Sequence, residues 1–195
     1  MVVYRRRKKS LAHVIVPVSI VVAVLLLIAA YFGYYKYIKE SYPIKYQAHV
    51  ERYAAENHLD KYFVYAVIKT ESGFNPSAES NVGARGLMQI MEDTFDWIKF
   101  KSNDEDAVYY DMYDAETNIK YGCRLLGYLT EEFGNIEEVA AAYHAGRGNV
   151  NEWLADKRYS ADGVHLDKIP ISDTAHYVSK IKKAMDKYVK LYDNK

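Results

Sequence analysis

Glu71 is the side chain whose placement asks for a chemical explanation. The spacing predicts a helix over residues 60–72, with Val64, Val67 and Ile68 on one apolar face, and Glu71, seven residues after Val64, falls on that same face. It also sits at the C-terminal end of the helix. Desolvation and the partial negative charge of a helix C-terminus both oppose ionisation and raise a carboxyl pKa. A glutamic acid kept partly protonated near neutral pH is what general acid catalysis requires. Periodicity also permits two plainer roles for Glu71, pairing with Arg85 or turning to solvent at a frayed helix end.

Other reactive side chains offer less. His49, His58, His165 and His176 lack metal-ligand spacing, so neither a metal nor a cofactor is expected. The single cysteine, Cys123, excludes an intramolecular disulfide and a cysteine metal cluster, and reads as a small buried residue. Lys180, Lys182, Lys183 and Lys187 read as a solvated helix face.

The elements that must position Glu71 read almost entirely as helix. A helix over 44–57 precedes one capped by Asp60 and stopped by Gly73 and Asn75-Pro76. Residues 77–85 read as a polar loop, 84–90 and 94–101 as short helices, and 101–111 as a charged loop. A long helix follows over 114–133, where Ile119, Gly122, Leu126, Leu129 and Phe133 step by three and four before Gly134. Further helices are expected over 136–145 and 149–154, then a loop over 159–171 with a turn at Asp162-Gly163. The last helix is capped by Ser172 and faces inward through Val178, Ile181, Met185, Tyr188 and Tyr192. No long alternating strand and no internal repeat occur, so the fold class is mainly α, a compact domain of short helices.

Charge divides the 195-residue chain although its formal sum is zero. Residues 1–40 carry a net +6 and the remainder a net −6. Residues 11–35 contain no Lys, Arg, Asp or Glu, and their inner 20 residues, Val14 to Gly33, would span ~30 Å as a helix, the thickness of a bilayer core. Tyr31, Tyr34, Tyr35 and Tyr37 stand where an interfacial aromatic belt belongs. The expected organisation is a cytoplasmic basic tail over 1–10, a transmembrane helix over 11–35, a stalk over 36–43 and a catalytic domain over 44–195. Arg5 to Lys9 before the span place the N-terminus in the cytoplasm and the domain outside, at a cell membrane crossed once. The alternative for the apolar segment is a cleaved signal peptide, against which its length and the absence of a clean small-x-small site argue. A domain of net −6 argues against nucleic acid as a partner.

The surroundings of Glu71 carry a resemblance. The run Glu71-Ser72-Gly73-Phe74-Asn75-Pro76 is followed by Ser80 and by Gly83-Ala84-Arg85-Gly86-Leu87-Met88-Gln89-Ile90-Met91. Downstream stand Ala141-Ala142-Tyr143-His144-Ala145-Gly146, Ile169-Pro170-Ile171-Ser172-Asp173-Thr174 and Tyr177-Val178. In this order, with Asn118-Ile119 and Val150 to Leu154 between them, the elements resemble the lytic transglycosylases of goose-type lysozyme fold, glycoside hydrolase family 23. The resemblance covers about residues 46–190.

The resemblance implies that Glu71 is the single catalytic acid/base. It places Ser80, Gln89, Met91, Tyr143, His144, Asp173 and Tyr177 along a sugar-binding cleft. Two of these depart from the pattern: His144 stands for the usual Asn, and Asp173 for the usual Glu. Glu92 stands for the usual Pro. The implied substrate is the peptidoglycan glycan strand, cut between N-acetylmuramic acid and N-acetylglucosamine to leave an anhydro-muramyl end. Met88, Met91, Phe74 and Tyr143 would supply apolar walls, with plain core as the other reading of Met88 and Phe74. A hydrolysing lysozyme on the same fold would need a second carboxylate, for which Asp93, Asp111 and Asp173 are the candidates. A wall-binding scaffold that lost activity through His144 and Asp173 is the non-enzymatic alternative.

Overall fold

The computed structural model describes residues 12–193, with side chains from Ile15 onward. The basic tail and Leu11 lie outside the described residues. The chain divides into two units that meet at Pro43 and Ile44.

The first unit is one helix, α1 (Ala12–Ser41), with Pro17 in its second turn. Its stretch Ile15–Ser41 is long and apolar enough to cross a membrane, and none of the span is buried against protein. The helix continues through residues 36–41, where a stalk is expected from sequence. Nothing in Lys36–Ser41 breaks a helix, and the Ser41 hydroxyl donates back to the Tyr37 carbonyl at 2.9 Å. Pro43 then disfavours helical backbone at the residue before it.

The second unit holds α2 (Gln47–Glu56), α3 (Lys61–Ser72), α4 (Glu92–Ser102), a 3-10 turn over Tyr109–Tyr113, α5 (Ala115–Phe133), α6 (Ile136–Ala145), α7 (Arg147–Ala155) and α8 (Ser172–Tyr192). The described residues contain no strand, only isolated bridges. α3 is the central element, with every residue from Tyr62 to Ile68 buried. It packs on α8, which packs on α6, while α5 joins α6 to α2. Burying side chains such as Phe63, Val64, Val67 and Ile68 contributes ~1.5–3 kcal/mol each. Stacked pairs lock the layers, Tyr65 on Tyr188 at 5.4 Å and Phe95 on Tyr121 at 4.9 Å.

The expected cap of α3 is present, and α5 has one that the sequence reading does not name. Asp60 accepts from the Tyr62 amide at 2.7 Å, and Asp114 from the Thr117 amide at 2.8 Å. Gly73 ends α3 with φ 59°. The start of α8 differs from expectation: Ile171 takes the cap position without a side-chain cap, and Ser172 is already helical. Ala184 is buried on α8 where Met185 is expected, and Met185 is only half-buried. α2 begins at Gln47 rather than 44 because Tyr46 holds left-handed backbone at φ 55°.

The largest difference lies between α3 and α4. Residues 84–90, expected to be helical, form a turn in which Arg85 bridges to Glu79 on one side and Ile90 on the other. The residues have helical spacing, but Gly86 (φ 76°) and Gln89 (φ 49°) occupy backbone a right-handed helix excludes. Gly86 is obligatory here, since a Cβ would stand 2.0 Å from the Met112 carbonyl oxygen and 2.2 Å from Asn118 Nδ2.

Candidate active site

The site forms where the C-terminal end of α3 meets α6, α8 and the turn over residues 78–90. The Ser72 hydroxyl, in the last turn of α3, donates to the Leu87 carbonyl at 2.8 Å and ties the helix end to that turn. Glu71, beside it, points inward toward α8. It does not pair with Arg85, whose guanidinium lies 4.3 Å from the Tyr109 ring, 5.2 Å from the Tyr113 ring and 3.5 Å from Glu79.

Burial pushes the Glu71 carboxyl up to about 7, and a hydrogen bond from Tyr177 partly opposes the shift. That bond runs from the Tyr177 hydroxyl to Glu71 Oε1 at 2.7 Å. Desolvation holds the Tyr177 phenol well above its ordinary range, with the nearby Glu71 charge adding to it, so Tyr177 stays a neutral donor.

Tyr143, on α6, donates to the Met88 carbonyl at 2.6 Å and so fixes α6 to the turn. Burial also keeps its phenol protonated. Beside it, His144 packs its ring on Tyr177 at 4.6 Å between centroids, and Nδ1 lies 3.1 Å from the Thr174 hydroxyl. Desolvation lowers the imidazole pKa, against the pull of Asp173. Asp173 is exposed in the first turn of α8, where a carboxylate suits the helix dipole.

The turn carries Ser80, Gln89 and Met91. Ser80 Oγ accepts from the Ala84 amide at 3.0 Å and shapes the loop from within. Gln89 Nε2 donates to the Ala78 and Gly86 carbonyls at 3.2 and 3.0 Å. With both amide hydrogens spent, Gln89 offers a ligand its carbonyl oxygen. Met91 is exposed at the start of α4, whereas Met88 and Phe74 are buried as core. The turn is clamped from α5 by Asn118, whose Oδ1 accepts from the Met88 amide at 2.8 Å. Asn118 Nδ2 donates to the Arg85 and Met112 carbonyls at 2.9 and 2.8 Å.

Glu71, Tyr177 and His144 therefore form one connected cluster, with Thr174 joined to it through His144 and the exposed Asp173 next to Thr174 in the first turn of α8. Ser80, Gln89 and Met91 belong to the adjoining turn. Thr174 and Asn118 enter as supports that the sequence reading leaves without a role. A groove of about 380 Å³ opens beside Tyr143, lined by Asp93, Thr94 and Trp97 of α4, Leu125 and Leu129 of α5, and Arg147 of α7. Trp97 lines this groove and has no part in the sequence reading. The described residues contain no cluster of His, Cys, Asp or Glu fit for a metal.

With this geometry in place, comparisons with known proteins add a family context. The sequence model of the transglycosylase SLT domain matches residues 49–165. The soluble lytic murein transglycosylase of Escherichia coli K12 is 34% identical over 159 residues, covering 80% of this chain and 24% of that protein. The membrane-bound lytic murein transglycosylase C of Serratia proteamaculans is 29% identical, over 71% of this chain and 44% of the relative. Among solved structures, the 70 kDa soluble lytic transglycosylase of Escherichia coli superposes with TM-score 0.73 at 29% identity, covering 81% of this chain and 26% of the other. An inactive variant of lytic transglycosylase Slt from Pseudomonas aeruginosa gives TM-score 0.70 at 31% identity, over 79% of this chain and 25% of that one. The chain thus spans about a quarter of the length of the first curated relatives it matches.

Proposed function

The chain belongs to the transglycosylase SLT domain family, and on that premise we propose that it is a membrane-anchored lytic transglycosylase acting on peptidoglycan glycan strands. The observation that carries this reading is the inward carboxyl of Glu71. It is raised to about 7 by burial, and a neutral phenol donates to it.

Protonated Glu71 donates to the bridging oxygen between N-acetylmuramic acid and N-acetylglucosamine, and the C1–O4 bond breaks. The substrate's N-acetyl group stabilises the oxocarbenium-like carbon. Glu71, now ionised, removes the proton from the muramyl C6 hydroxyl, O6 bonds to C1, and a 1,6-anhydro ring closes. One carboxyl serves both proton transfers and no water is consumed. Two-carboxylate hydrolysis fits less well, because it needs a second carboxylate beside the reacting sugar, whereas the partner of Glu71 is the Tyr177 phenol. Asp111 is engaged by the Val108 amide at 2.9 Å.

Tyr177 orders the Glu71 carboxyl, and Tyr143 holds the wall of the cleft. Ser80, Gln89, Met91 and Asp173 line the path of the sugars, with the Gln89 carbonyl oxygen accepting from a sugar hydroxyl or amide, and His144 stands behind Tyr177. α1 anchors the domain in a membrane, and Arg5 to Lys9 keep the N-terminus cytoplasmic, so the domain faces the wall. Mass spectrometry of peptidoglycan digested by the detergent-solubilised full chain tests the reaction. Anhydro-muropeptides are expected, and products with reducing ends only would overturn it.

A further inference from the structure

We propose that His144 is a positioning residue that acts on Glu71 through Tyr177, holding the phenol where it donates to the carboxyl. This inference rests on the transglycosylase reading and assigns the site a further support. The contacts run in one line. Thr174 Oγ1 fixes His144 Nδ1 at 3.1 Å, the imidazole packs on the Tyr177 ring at 4.6 Å with the planes 32° apart, and the Tyr177 hydroxyl reaches Glu71 at 2.7 Å. A hydroxyl on a ring is aimed by whatever fixes the ring. Here α8 supplies the backbone and His144, from α6, supplies the face.

The groups that face this cluster are Asp173 and Tyr177 from α8, Glu71 from α3 and Tyr143 from α6. Desolvation lowers the imidazole pKa and Asp173 opposes it, so the neutral ring is favoured. It then serves by packing rather than by charge. Tyr177 donation favours ionised Glu71, so a loosened phenol leaves Glu71 protonated to higher pH.

The test compares wild type, His144→Ala and His144→Phe as full chains in detergent. It follows kcat/KM on isolated peptidoglycan and Tm, both from pH 5 to 9. For His144→Ala the alkaline limb should move up by roughly half a pH unit, with kcat several-fold lower and KM within two-fold of wild type, the scale of one weakened hydrogen bond. His144→Phe keeps a ring on Tyr177 and should restore the wild-type limb. A raised KM with an unmoved limb would make His144 a substrate contact and overturn the proposal. A Phe variant that behaves like Ala would overturn the packing argument. The pH dependence of Tm reads the Glu71 titration without turnover, so the test survives even if wild type yields no anhydro product.

Discussion

The phenolic hydroxyl of Tyr177 donates to Glu71 Oε1 at 2.7 Å, joining side chains 106 positions apart in sequence. It is the polar contact that balances burial of the carboxyl. Without it, Glu71 would be an acid with nothing to order it. With it, the carboxyl is ordered and still titrates near neutrality, which serves a group that must first give a proton and then take one.

Glu71→Gln should abolish cleavage of peptidoglycan, by at least ~10²-fold, because the amide cannot donate as an acid. It should leave the fold intact, because Gln is isosteric and still accepts from Tyr177. The stability comparison carries a sign. The folded-state value, about 7, lies above the ordinary 4.5, so the stability that wild type owes to burying a neutral acid is complete below pH 4.5 and is lost as pH rises through about 7. Tm of wild type should therefore fall relative to Glu71→Gln between pH 5 and 8, by the equivalent of about 2–3 kcal/mol. Parallel curves would mean that Glu71 ionises freely in the fold.

Tyr177→Phe removes the donation that opposes burial. Glu71 should then stay protonated to higher pH, and the alkaline limb of kcat/KM should move up by roughly 0.5–1 unit while the maximal rate falls. A limb that moves down would show that Tyr177 serves the acid form instead.

What the sequence shows of this site is set by how local each constraint is. The Asp60 cap, the Gly73 and Gly134 stops and the inward face of α3 all depend on residues within a few positions, and they read correctly. The turn over 78–90 does not. Ala84, Leu87, Met88 and Ile90 have helical spacing, and what excludes a helix is a side chain 33 positions downstream of Arg85, Asn118, together with the Tyr109 hydroxyl lying 2.5 Å from the Gly83 carbonyl. The same limit applies at Glu71. Periodicity turns it inward, but its partner lies on the last helix, and Arg85, the cation the sequence offers as a partner, is engaged by Glu79, Tyr109 and Tyr113 instead.

Tyr143→Phe leaves the buried Met88 carbonyl without its 2.6 Å donor. The expected cost is about 1–2 kcal/mol of stability, read as a drop in the denaturation midpoint, with the near-ultraviolet circular dichroism of the domain retained. Activity should fall at temperatures where the protein is still folded, because the α6 wall and the Gln89 turn are no longer tied together. Equal losses of activity and folded fraction would reduce Tyr143 to a core residue.

Asn118 holds the turn with three hydrogen bonds from a fully buried amide, one accepted from Met88 and two donated to Arg85 and Met112. Asn118→Ala strands a buried amide hydrogen and two carbonyls, and should cost on the order of 3–5 kcal/mol. Asn118→Asp is the more informative change. Its carboxylate still accepts from the Met88 amide, but it faces the Arg85 and Met112 carbonyls with negative charge in place of two donors. The neutral acid can donate to one of them. Burial and these carbonyls raise the folded-state pKa of the new acid, so the variant is most stable at low pH and loses stability as pH rises through that value. Urea midpoints at pH 5 and pH 8 should therefore separate in Asn118→Asp by more than in wild type. A variant equally stable at both would mean that the turn keeps its shape without Asn118, and that Gly86 and Gln89 alone suffice to hold it.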